Sequence, residues 1–152
     1  MNPIATYEVS RTFGSFTAVE KAWISLQAAE VVGLLGANGA GKTTLIKMIL
    51  GLLAPTAGRI KLSGQARSRR QRRRIGYIHE KLGVYTDLTA RENIEFRADV
   101  FGEDVSDLDD RLVCDMSLGL QHRTAFAAAA QHHPDLLILD EPTFGVSPLA
   151  RS

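Results

Sequence analysis

Polar and apolar residues alternate with a period of two over residues 4–10 and again over 18–28, the spacing that sends every second side chain to one face of a β-strand. In the second stretch Ala22, Ile24 and Leu26 share a face, and Trp23 falls on the other. Phe13-Gly14-Ser15 supplies turn residues between the two, so the chain is expected to open with a small antiparallel sheet. Val31-Val32-Gly33-Leu34-Leu35 is different: it is short, apolar throughout and strand-like. After a glycine-rich stretch, Thr44-Leu45-Ile46-Lys47-Met48-Ile49-Leu50 reads as helix, expected over about 41–52.

Pro55-Thr56-Ala57-Gly58 is a turn signal, and Arg59-Ile60-Lys61-Leu62-Ser63-Gly64 alternates as a half-buried strand should. Ile75-Gly76-Tyr77-Ile78-His79 is a further short strand, followed by a loop over 80–87. Thr89 with Glu92 three residues later forms a capping box, which predicts a helix from about 88 to 101. Residues 103–115 are acidic and read as helix or turn, and 116–121 reads as a loop. An alanine-rich helix is expected over about 121–132, stopped by Pro134. Leu136-Leu137-Ile138-Leu139 has the continuous apolar character of a strand buried on both faces of a parallel sheet, and it ends in Asp140-Glu141-Pro142-Thr143.

The glycine-rich stretch carries the chemistry. Gly36-Ala37-Asn38-Gly39-Ala40-Gly41-Lys42-Thr43 fits G-x-x-x-x-G-K-[ST], the phosphate-binding loop, between an expected strand and an expected helix. Gly36, Gly39 and Gly41 let the main chain curl close to phosphates, and the helix N-terminus offers the positive end of its dipole. Lys42 supplies a mobile charge for the β- and γ-phosphates, and the Thr43 hydroxyl is placed to ligate Mg²⁺. An apolar strand ending in two acids complements such a loop. Asp140 is expected to hold Mg²⁺ and Glu141 to polarise the attacking water.

Composition narrows the setting. With 152 residues the chain suffices for one domain with a real core, and 45% hydrophobic with 23% charged residues is ordinary for a globular protein. The one cysteine, Cys114, excludes an internal disulfide and fits a reducing compartment. No apolar run approaches a membrane span, and the N-terminus lacks the pattern of a secretory signal, so membrane association is expected through a partner. A net charge of +1 hides an asymmetry: residues 1–80 are strongly basic and 81–152 strongly acidic. The basic excess is concentrated in Arg67-Ser68-Arg69-Arg70-Gln71-Arg72-Arg73-Arg74. The run reads as a solvated surface segment. Its alternative is a nucleic-acid or ribosomal contact, although no aromatic residue is interleaved for base stacking. His132-His133 reads as a helix end rather than a metal site, since no further ligands stand at useful spacing.

Taken in order, these motifs resemble the ATP-binding cassette (ABC) ATPases over nearly the whole chain. Met116-Ser117-Leu118-Gly119-Leu120 followed by Gln121-His122-Arg123 stands where that family has its Leu-Ser-Gly-Gly-Gln signature, and Glu141-Pro142-Thr143 matches its Glu-Pro-Thr. Ile75-Gly76-Tyr77-Ile78 and Leu88-Thr89-Ala90-Arg91-Glu92-Asn93 match its phrases around the glutamine loop. The resemblance implies an α/β P-loop NTPase: a mainly parallel sheet flanked by helices, a small N-terminal antiparallel sheet, and a helical arm over about 88–132. It implies ATP and Mg²⁺ as ligands. Phe13 would stack on adenine, and Val19, Ala37, Asn38, Ala40 and Thr44 join the nucleotide-binding set. Ser117 and Gly119 would cap the γ-phosphate held by a second cassette in a head-to-tail dimer. A transmembrane permease would be the other partner, with the cassette cytoplasmic and peripheral to the membrane. The wording around the phosphate loop and Glu141 looks most like single-cassette exporters of the drug-efflux type.

The chain departs from the family's pattern in places. Glu80 replaces the Mg²⁺-ligating glutamine, Leu118 and Leu120 replace a glycine and a glutamine of the signature, and Ser147 replaces an aspartate. The interval from Asn93 to Ser117 is short, and Ser152 precedes the family's switch histidine and last core strand. The expectation is a single cassette over 1–152, truncated or degenerate, that keeps nucleotide binding more securely than turnover. ATP binding without effective turnover, and a ribosome- or RNA-associated factor, stand as alternatives to an exporter ATPase. A GTPase is disfavoured because no Asn-Lys-x-Asp motif occurs.

Overall fold

The computed structural model describes residues 2–66, 68–79, 81–101 and 110–140, with the side chains of 97–101 left aside. The chain divides into two compact units, Met1–Ile75 and Gly76–Ser152.

The first unit is built on a four-stranded antiparallel sheet in the order β2-β1-β3-β4, from β1 (Ile4–Phe13), β2 (Phe16–Leu26), β3 (Ala57–Leu62) and β4 (Gln65–Ala66). Alternation places Ile4, Thr6, Ile60 and Leu62 inside, and the strand irregularities bring Val9 and Val19 to the interior as well. Trp23 lies on the outer face, edge-on to Tyr7 at 5.5 Å. The pairing of β1 with β2 is interrupted by bulges, with Glu8 and Lys21 at positive φ. Hydroxyls satisfy main-chain groups there: the Ile24 N–H donates to Thr6 Oγ1 at 2.7 Å, and the Lys21 N–H to Ser10 Oγ at 2.9 Å. Helix α1 (Lys42–Leu50) buries Leu45, Ile46, Met48 and Ile49 and ends at a left-handed Gly51.

One expectation in this unit is corrected. Residues 31–35 take no regular secondary structure, and Val31 and Leu35 are 98% and 92% exposed. An apolar run becomes a strand only against a partner ladder, and none pairs with it among the described residues. The arginine run lies on the surface as expected, with Arg69, Arg70 and Arg72 to Arg74 exposed, and it carries a helical turn. Ser68 caps a one-turn helix, α2 (Arg69–Arg72), by accepting from the Gln71 N–H at 3.4 Å, and Gln71 is buried.

In the second unit β5 (Ile75–Ile78) pairs with β6 (Leu136–Leu139). Helices α3 (Ala90–Phe101) and α4 (Leu118–Ala130) pack on each other, and Gln131 Nε2 donates to the Ile94 carbonyl at 3.2 Å. One apolar cluster joins Ile78, Leu82, Ala125 and Ala129, with Val84 and Leu137 against it. A second joins Ala90, Val113 and Met116, with Val84 and Leu120. The capping box at α3 forms reciprocally: the Glu92 N–H donates to Thr89 Oγ1 at 3.1 Å, and the Thr89 N–H to Glu92 Oε2 at 2.8 Å. Buried Asn93 ties the preceding loop down, accepting from the Tyr85 N–H at 2.7 Å and donating to the Tyr85 and Thr89 carbonyls, each at 2.9 Å.

Two more corrections fall here. Helix α4 begins three residues earlier than the alanine-rich pattern suggests, because Ser117 caps it by accepting from the Leu120 N–H at 3.4 Å. Strand β6 is only half-buried, with Leu139 at 40% exposure, since the described residues give it a single neighbouring strand.

Candidate functional site

The phosphate-loop sequence lies between β2 and α1 in the first unit. Gly39 and Gly41 take φ of +81° and +83°, the left-handed region that residues with a side chain rarely enter. Gly41 also lies against β2: a Cβ there would strike the Ala18 carbonyl oxygen and stand 3.1 Å from Val19 Cγ2. Val19 thus forms the floor on which the loop sits. At Gly36 a Cβ would come within 3.1 Å of the Ala40 side chain, so the loop is tight at both ends.

Several of the loop's main-chain donors are left unpaired. The Ala40 N–H donates to the Ala37 carbonyl at 3.1 Å, and the first helical bond of α1 runs from the Leu45 N–H to the Gly41 carbonyl at 2.9 Å. Among the described residues the amides of Asn38, Gly39 and Gly41 reach no main-chain carbonyl. They and the first turn of α1 make a cluster of donors at a helix N-terminus, which suits an anion. Lys42 folds back over the loop, its Nζ donating to the Gly36 carbonyl at 2.7 Å and the Ala37 carbonyl at 2.9 Å. Thr43 is exposed and Thr44 half-buried on the first turn. Phe13 closes β1 and is 45% exposed.

In the second unit Asp140 follows β6 directly and is only 5% exposed. Its N–H donates to the Ile78 carbonyl at 2.9 Å, and Tyr77 Oη donates to its Oδ2 at 3.4 Å. Ser117 and Gly119 lie at the start of α4, and the space a Cβ on Gly119 would enter is open. Leu120 packs against the cluster of Ala90, Val113 and Met116. Gln121, one position on, donates through Nε2 to the Val113 and Met116 carbonyls, both at 3.1 Å, and so latches the helix start to the preceding turn. Glu80, Glu141 and Ser147 lie outside the described residues. Sequence reasoning missed three partners. Gln121 latches the signature turn, Tyr77 touches Asp140, and Arg11 has its guanidinium 4.5 Å from the Phe13 ring centroid. Only the arginine's place two residues before the aromatic hinted at the last.

Comparison with known proteins decides the family. A sequence model of the family described as ABC transporter matches residues 19–144. The chain belongs to the ABC transporter family. The bacitracin transport ATP-binding protein BcrA of Bacillus licheniformis is 39% identical over 162 residues, covering 96% of this chain and 53% of that protein. The Nod factor export ATP-binding protein I of Burkholderia lata is 37% identical over 168 residues, covering 98% and 55%. This ABC-family chain therefore spans about half the length of these two relatives. Both alignments run longer than the chain itself, so each relative carries residues with no counterpart here.

Solved structures agree on the fold. An ATP-binding subunit of an ABC transporter superposes with a TM-score of 0.81 at 27% identity, over 97% of this chain and 69% of that one. The cbiO1 protein of Clostridium perfringens, part of the transporter complex cbiONQ, superposes with a TM-score of 0.80 at 24% identity, over 97% and 68%. The fold is thus the α/β P-loop NTPase fold with an antiparallel N-terminal sheet. These relatives give the ribosomal alternative no support. No helix among the described residues is long and apolar enough to cross a membrane.

Proposed function

We propose that the chain is the ATP-binding and ATP-hydrolysing cassette of an ABC-type membrane exporter. The observation that carries this reading is the loop over residues 36–43. Its left-handed glycines, unpaired amides and Lys42 stand at the start of α1, a donor set for a triphosphate. The names of the relatives support the transport setting.

Residue roles follow the motif match. The amides of residues 36–43 and Lys42 bind the β- and γ-phosphates, with Ala37, Asn38, Ala40 and Thr44 in the binding set. Phe13 stacks on adenine, and Val19 supports the loop. The hydroxyl of Thr43 and the carboxylates of Asp140 and Glu80 are hard oxygen donors of the kind Mg²⁺ takes, and the bound ion would draw charge from the phosphates. Glu141 polarises the attacking water, and Ser117 and the Gly119 main chain cap the γ-phosphate of a second cassette. A permease subunit is the membrane partner, so the cassette sits peripheral to the bilayer.

The test separates binding from chemistry. Mg²⁺-dependent ATPase activity is expected to fall by about 10²–10⁴-fold in Glu141→Gln, with Mg·ATP binding by calorimetry kept. Turnover intact in that variant would remove Glu141 from its assigned role.

A second reading, ATP binding without effective turnover, is favoured by the start of α4. There Leu118 presents an exposed branched side chain where the family brings glycine into close approach. Tight Mg·ATP binding with phosphate release at background in the unmodified chain selects it. Release that saturates with ATP rejects it.

A further inference from the structure

We infer that Arg11 is a positioning residue for the nucleotide base. Its guanidinium covers one face of the Phe13 ring and holds the other face ready for a purine. The inference rests on the proposed seating of adenine on Phe13.

Arg11 stands two residues before Phe13 on β1, so strand alternation sends both side chains to the same side. The guanidinium carbon is 4.5 Å from the ring centroid, within the range of a cation–π contact. One terminal nitrogen donates to the Ala54 carbonyl at 2.9 Å. The Nε atom is shielded from solvent and makes no hydrogen bond among the described residues. A surface arginine normally keeps its head in water. This one is held between a carbonyl and a ring.

The surroundings are fixed as well. The Thr12 N–H donates to Thr56 Oγ1 at 3.0 Å, and the Thr56 N–H to the Ser10 carbonyl at 2.8 Å. The end of β1, Arg11 and the segment after α1 therefore form one bracket beside Phe13, a residue that remains 45% exposed.

Two physical effects follow. The ring loses rotamer freedom before a ligand arrives, which lowers the ordering cost of binding. The cation on the hidden face also offsets π-electron repulsion when a second π-system stacks on the open face. Both effects act on the base, not on the phosphates. Arg11 should therefore change the preference for ATP over a bare triphosphate, which a purely structural or long-range electrostatic role would not do.

The test is calorimetry on the full chain with Mg·ATP and with Mg·tripolyphosphate, for the unmodified protein and for Arg11→Ala, Arg11→Gln, Phe13→Ala and Arg11→Ala/Phe13→Ala. Glutamine keeps a donor for Ala54 without the charge, and it guards against an alanine variant that fails to fold. ATP affinity is expected to fall about two- to five-fold in both Arg11 variants, with tripolyphosphate affinity unchanged. Phe13→Ala should lose about tenfold for ATP, and adding Arg11→Ala to it should cost nothing more. Equal losses for both ligands, or an unchanged ATP affinity in Arg11→Gln beside a weakened Phe13→Ala, overturn the role of Arg11 alone. Unchanged ATP binding in Phe13→Ala removes the base-stacking role of Phe13 and this inference together.

Discussion

The carbonyl oxygen of Ala18 occupies the place where a side chain on Gly41 would begin. Gly41 also holds φ at +83°, so strand β2 and the phosphate loop are fitted to each other through the one residue type that satisfies both constraints. Gly41→Ala is expected to weaken Mg·ATP binding sharply and to cost about 1–3 kcal/mol of stability through overpacking and strain. Thermal unfolding and calorimetry on the same sample check it. A melting curve and an ATP affinity both equal to the unmodified protein's would reject the fit.

Lys42 already donates to two loop carbonyls, so its ammonium must leave them to meet a phosphate. Its worth to ATP is the difference between two charge-assisted interactions. Lys42→Met should weaken Mg·ATP binding by about 10- to 100-fold with little change in melting temperature, since among the described residues the side chain is tied only to its own loop. A large drop in melting temperature with affinity preserved would show that the carbonyl bonds matter more than the phosphate.

Gly76 lies beneath the end of α4, where a Cβ would meet the Ala129 carbonyl oxygen, Leu137 and Pro134. Two of these three obstacles cannot swing aside: one is backbone and another a proline ring. Gly76→Ala is therefore expected to lower stability by about 1–3 kcal/mol in denaturant unfolding. Because Tyr77 and Ile78, which touch Asp140 and its amide, follow directly, a shift here should also reach that carboxylate.

The Glu92 carboxyl is held below its ordinary value, first by the Thr89 N–H and then by the Thr89 hydroxyl. A lowered pKa in the folded state means that folding favours the carboxylate. The stabilisation is complete above the ordinary value of 4.5 and is lost as pH falls through the lowered one. The melting-temperature gap between the unmodified chain and Glu92→Gln should be widest near neutrality and close in acid. A gap that stays constant from pH 7 to about pH 3 would show that the charge takes no part in the cap.

Local chemistry made much of this legible in advance. The capping box at Thr89 and Glu92 and the glycines of the phosphate loop each depend on residues a few positions apart. Local spacing specifies such contacts. The start of α4 was misread because alanine content outweighed a single serine cap, and the cap, not the alanines, fixes where the helix begins. The Gln121 latch could not be anticipated, since it depends on the path the chain takes between Val113 and Met116.

The sequence by itself determined the order of the motifs, the donor set of the phosphate loop and, through both, membership of the ABC transporter family. Tertiary structure alone decided which of the apolar runs became strands. Residues 136–139 found a partner in β5, while 31–35 remained exposed, because a strand is completed by hydrogen bonds to residues distant in the chain and not by its own composition. For the same reason only the folded chain could bring the Ala54 carbonyl, 43 residues away in sequence, to the Arg11 guanidinium beside Phe13.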